Sequence, residues 1–81
     1  MKHSPLCSRD QGREITFTAR DGGQKLRFTL SRSLLDQLCG NDAAEDKRKT
    51  WVKDHMSDIL NIRTSGRAEA PLHLVHIEEI A

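Results

Sequence analysis

Tyrosine is absent from this chain, and the aromatics that remain are two phenylalanines and one tryptophan. Sheet readers of single-stranded RNA stack bases on exposed aromatic rings, so a chain this poor in them has little of that apparatus. Charge of one sign is lacking as well. Thirteen Lys and Arg stand against twelve Asp and Glu, a formal net charge of +1, whereas proteins that work mainly through the phosphate backbone usually carry a clear basic excess. Two cysteines, Cys7 and Cys39, are too few for the disulfide framework of a small secreted domain. The N-terminal stretch has no apolar run after its first charge, and no apolar run approaches the roughly 20 residues that span a bilayer. These absences lead to the expectation of a cytoplasmic protein with no membrane segment.

What is present is periodic. Apolar residues make up 36% of the 81 positions and charged residues 31%, which permits folding when the apolar residues recur at the period of an element. Ile15 to Leu30 reads I-T-F-T-A-R-D-G-G-Q-K-L-R-F-T-L, two alternating strands about an Asp-Gly-Gly turn. Ile15, Phe17 and Ala19 share one face with Leu26, Phe28 and Leu30, while Thr16, Thr18, Arg20, Lys25, Arg27 and Thr29 share the other. Glycine supplies the positive φ that such a tight turn needs.

After Leu30 the period lengthens to that of a helix. Ser31 reads as its N-cap, with Ser33 in reserve, Leu34, Leu35, Leu38 and Cys39 as its inner stripe, and Gly40 as its stop. Asp42, with Glu45 three residues on, reads as the capping box of a second, longer helix ending at Gly66. Its inner face is Val52, Met56, Ile59 and Leu60, widened by Trp51 and Ile62; Lys47, Arg48, Lys49, Lys53, Asp54 and Asp58 are expected outside. Residues 67 to 70 form a connector, and Leu72 to Ile77 a final strand. There Leu72, Leu74 and His76 fall on one face and His73, Val75 and Ile77 on the other.

The expected fold is therefore α+β, a three-stranded antiparallel sheet with two helices on one face, in the order β-β-α-α-β. Residues 1–13 are expected to be a flexible N-terminal arm, with Leu6 pinning it, and residues 14–81 a single domain.

This order, with I-T-F-T-A-R, the glycine turn and L-R-F-T-L-S-R-S-L-L-D-Q-L, resembles the small bacterial domain-of-unknown-function 1488 family over residues 14 to 80. Ile15, Phe17, Ala19, Leu34, Leu35 and Leu38 occupy equivalent positions. These are packing positions, so the resemblance implies a fold and no catalytic residue. The chain departs from the family in a shorter N-terminal arm.

No chemistry-bearing motif stands out. His73 and His76 lie three apart in a strand and so diverge, and no C-x-x-C or H-x-x-x-H pair exists, so neither a metal nor another cofactor is expected. Cys39 with His55 is the one nucleophile and base worth pairing, and no strained elbow or glycine-rich oxyanion loop accompanies it. Gly22-Gly23 lacks the third glycine of a dinucleotide fingerprint. Glu78 and Glu79 are adjacent and diverge. An enzyme is thus not expected.

The expectation for function is a regulatory or adaptor module that binds another protein through the sheet's outer face or a strand edge, with homodimerisation a further possibility. The residues expected to make the contact are Arg20, Lys25, Arg27, His73 and Val75. The alternative is a weak nucleic-acid binder using Lys47, Arg48, Lys49 and Lys53 with the same arginines. The small size also suits phage or mobile-element inhibitors of a host system.

Overall fold

A computed structural model describes residues 3–10, 12–66 and 70–80. Met1, Lys2 and Gln11 of the expected arm, residues 67–69 of the expected connector, and Ala81 lie outside the described residues.

The hairpin forms where alternation places it. Strand β2, Glu14–Asp21, pairs antiparallel with β3, Gln24–Leu30, and the register sets Ile15 opposite Leu30, Phe17 opposite Phe28, and Ala19 opposite Leu26. All six are buried. The Phe17 and Phe28 rings stack with centroids 5.0 Å apart. Gly22, at φ +64°, lets Asp21 and Gln24 face each other across a two-residue turn.

Among the described residues, four strands rather than three make up the sheet, which corrects the expected architecture. The added strand β1, Cys7–Arg9, lies antiparallel on β2. Ser4 extends the contact, because its backbone N–H donates to the Thr18 carbonyl at 2.7 Å and its Oγ accepts from the Thr18 N–H at 2.9 Å. Strand β4, His76–Glu79, pairs antiparallel with β3 on the other side, giving the sheet order β1-β2-β3-β4.

Helices bury one face of this sheet. In α1, Arg32–Cys39, the Ser31 hydroxyl accepts from the Leu34 N–H, and Gly40 ends the helix at φ 97°. Leu34 and Leu35 are fully buried, and Leu38 packs against the core. The expected long helix is two helices, α2 at Glu45–Asp54 and α3 at Met56–Ser65. His55 separates them at ψ 16°, far from the helical value, and its imidazole lies flat on Trp51 with centroids 4.0 Å apart. Both the His55 backbone N–H and its Nδ1 donate to the Trp51 carbonyl. Val52, Met56 and Ile59 nevertheless reach the same core. Gly66 closes α3 in the left-handed region, as the spacing predicts.

Asp42 is not the N-cap of α2. Ala44 holds that position and makes no side-chain cap bond. The loop before it is turned toward Arg48, whose Nε donates to the Ala43 carbonyl and whose Nη2 donates to those of Gly40 and Asn41. Glu45, the expected partner in the capping box, accepts from Ser8 Oγ at 2.7 Å and so joins α2 to β1.

The last strand begins late. Leu72–Leu74 is a 3₁₀ turn, and the strand proper is β4. The register sets Ile77 opposite buried Phe28, so Ile77 and, two residues earlier, Val75 turn toward the core while His76 and Glu78 turn outward. The expected partition of Val75, His76 and Ile77 holds, with its two sides exchanged.

Candidate binding surface

Every second residue of the sheet faces away from the helices, and the register determines who meets whom. Arg20 stands directly opposite Lys25, Thr18 opposite Arg27, and Thr16 opposite Thr29. From the edges, Cys7 stands opposite Thr16, Arg9 opposite Glu14, Glu78 opposite Arg27, and His76 opposite Thr29. A shallow concavity of about 510 Å³ crosses this face, lined among others by Ser4, Cys7, Thr16, Thr18, Arg27 and Glu78. A smaller hollow of about 210 Å³ lies at the turn end, where His3, Ser4 and Thr18 adjoin Arg20 and Lys25.

Charges on the face are unevenly matched. Arg27 Nη1 lies 3.2 Å from Glu78 Oε1 with both side chains near half exposure, a pair that contributes little in water. Arg20 and Lys25 have no carboxylate within 4.0 Å among the described residues. Two cations set opposite each other across a ladder repel, a local cost to the fold.

The structure thus brings together Arg20, Lys25 and Arg27. It does not bring His73 or Val75 to them. His73 sits on the 3₁₀ turn, exposed and outside the sheet, and Val75 is a core residue at 8% exposure. The expectation that Val75 lines the outer face is corrected, because the strand starts after the turn and the valine points to the helices. His76 and Glu78 hold the outward positions instead. Alternation puts His76 and Glu78 on one side, and where the 3₁₀ turn ends decides which side that is.

On the helices, Lys47 and Lys53 are exposed, and Lys49 lies 3.9 Å from Glu45. Arg48 is not on the surface. It is 3% exposed, its Nη2 lies 2.7 Å from Asp36 Oδ1, and its Nη1 meets no partner among the described residues. Arg48 therefore holds α1, the following loop and α2 together and is withdrawn from the expected basic cluster. Cys39 is half-buried, and burial pushes its thiol above its ordinary pKa against the lowering pull of Arg48 and Lys47. Among the described residues no group of three His, Cys, Asp or Glu side chains gathers to hold a metal ion, and no helix is long and apolar enough to cross a membrane.

No protein-family model, curated protein or solved structure matches this chain.

Proposed function

We propose that the protein is a non-catalytic regulatory or adaptor module whose outer sheet face binds an acidic segment of another protein. The observation that carries this reading is the Arg20 and Lys25 pair, two cations in direct cross-strand register with no carboxylate in reach among the described residues. Such a pair opposes folding, and an acidic partner would turn the repulsion into binding. The hollow beside it, where His3, Ser4 and Thr18 adjoin the two cations, has the room to receive a carboxylate. Membership of the domain-of-unknown-function 1488 family, a bacterial source and a cytoplasmic location belong to the same proposal. So does a role as an inhibitor carried by a mobile element.

Nucleic acid is the weaker reading. Its basic cluster has lost Arg48 to the interior, and both phenylalanines point into the core rather than onto the face where bases would stack.

The test is an affinity pulldown from host lysate, with and without nuclease, using the native chain and an Arg20→Glu/Lys25→Glu variant. The expected result is a protein set that survives nuclease and is lost with the variant. A set that vanishes with nuclease would favour nucleic acid, and one the variant leaves unchanged overturns the outer face. Lys25→Thr supplies a second readout. It should weaken capture while raising the unfolding free energy by about 0.5 kcal/mol, since the repulsion is relieved.

A further inference from the structure

Among the described residues, strand β4 leaves one side of its backbone unused. The Ile80 N–H donates to the Lys25 carbonyl at 2.9 Å, which fixes Lys25 and Ile80 as a hydrogen-bonded pair of the β3–β4 ladder. Bonded pairs alternate along an antiparallel ladder, so Glu78 and His76 also bond toward β3, and Ile77 and Glu79 turn their N–H and C=O groups away from it. No described backbone or side-chain group takes them. Beside this edge, on the 3₁₀ turn, stands Leu74 at 48% exposure, the only exposed large hydrophobic residue among those described.

We infer that the β4 edge is a self-association seam, where two copies of this chain pair their β4 strands antiparallel about a twofold axis. Register selects the geometry. A twofold axis perpendicular to the sheet requires facing residues to lie on the same side, so the axis must pass through a β4 residue rather than between two. An axis through His76 sets the two histidines against each other, and one through Glu78 sets glutamate against glutamate. An axis through Ile77 sets Ile77 on Ile77, His76 on Glu78 of the second copy, and Glu78 on His76.

The same register runs Ile80 of the second copy past the start of β4, toward the 3₁₀ turn that carries Leu74. It also makes the two Ile77 residues a bonded pair that exchanges both N–H···O=C bonds through the groups β4 leaves outward. The Glu79 N–H then meets the Val75 carbonyl of the second copy, while the Val75 N–H stays on the Leu72 carbonyl as it is in one chain. Side-chain matching therefore selects one register, and the backbone groups that β4 leaves outward can serve it. The product is a continuous eight-stranded sheet with both sets of helices on one side and both outer faces on the other. The seam is short, so the dimer forms with moderate affinity.

The experiment is sedimentation equilibrium of the whole chain over a concentration series, joined to residue-resolved amide exchange. A monomer–dimer equilibrium is expected, with the Ile77 and Glu79 amides gaining protection as the dimer fills. His76→Glu should weaken association about tenfold by setting like charges together at two symmetric sites. His76→Glu/Glu78→His restores the pairing with its partners exchanged and should recover most of that loss. Leu74→Asp, at an exposed position that leaves the fold intact, should weaken association as well. A chain that stays monomeric up to about 1 mM overturns the inference. So does a dimer in which the Ile77 amide exchanges as fast as in the monomer, or one that the double variant fails to recover.

Discussion

Arg48 takes a formal charge out of water, a cost of several kcal/mol unless the charge is paired and its donors are satisfied. Asp36 and three loop carbonyls supply that compensation through Nε and Nη2. Truncation would strand the Asp36 carboxylate and the carbonyls together. Arg48→Ala should therefore lower the unfolding free energy by about 3 kcal/mol in urea denaturation, the low end of the range because Asp36 keeps some contact with water. Arg48→Lys should recover little, since an ammonium lacks the planar fork that serves carboxylate and carbonyls at once. The K-R-K run at 47–49 disguised this residue as surface charge. The clue lay in its spacing, because Arg48 stands four residues before Val52 and falls on the inner stripe. Cys39 gives a second test at this scale. Its half-buried thiol is held protonated above its ordinary range, whereas Cys7 is exposed on β1. Iodoacetamide at neutral pH should modify Cys7 well before Cys39, which peptide mass mapping over time would show.

At the scale of the element, the decisive joint is where the β1–β2 connection meets the start of α2. Gly12 is buried there at φ +88°, and a Cβ built on it would lie 2.7 Å from the Glu45 backbone. Substitution thus meets a strained conformation and an overlap with a helix that cannot easily shift. Gly12→Ala should cost about 3 kcal/mol, read as a lowered urea midpoint, whereas the same change at Gly23, which has open space around it, should cost far less. The hairpin, the Ser31 cap and the Gly40 and Gly66 stops were legible in the sequence, because each follows from side-chain period or from a residue's own conformational range. Strand β1 was not. Cys-Ser-Arg has no apolar alternation, and it joins the sheet through backbone bonds that any residue can make. The division at His55 was hidden for a similar reason. Neither glycine nor proline marks it, and one altered ψ held by the Trp51 carbonyl is enough.

At the scale of the molecule, the strands lie side by side in chain order while, among the described residues, three helices cover one face. The candidate surface was half legible. Arg20, Lys25 and Arg27 follow from alternation alone, but the side that β4 presents depended on where the 3₁₀ turn ends, and a shift of one residue in a strand exchanges its faces. A net charge of +1 likewise conceals a local excess, since much of the acid lies away from the outer face and Arg20 faces Lys25 without it. The Arg20→Glu/Lys25→Glu test of partner capture belongs to this scale, as do the sedimentation series and its charge-exchange variants. Both concern surfaces that exist only once all four strands are in place.

Chain order also sets an order of assembly. Strands β2 and β3 are joined by two glycines and can meet at once, but β4 follows only after every residue from Ser31 to Val75 has been made. Synthesis runs from the N-terminus. Throughout that interval Leu26 and Phe28 lie beside an open β3 margin, a template on which a neighbouring nascent chain could build. The closing of that margin falls to a strand of four residues, His76–Glu79, which is made only after the three helices between.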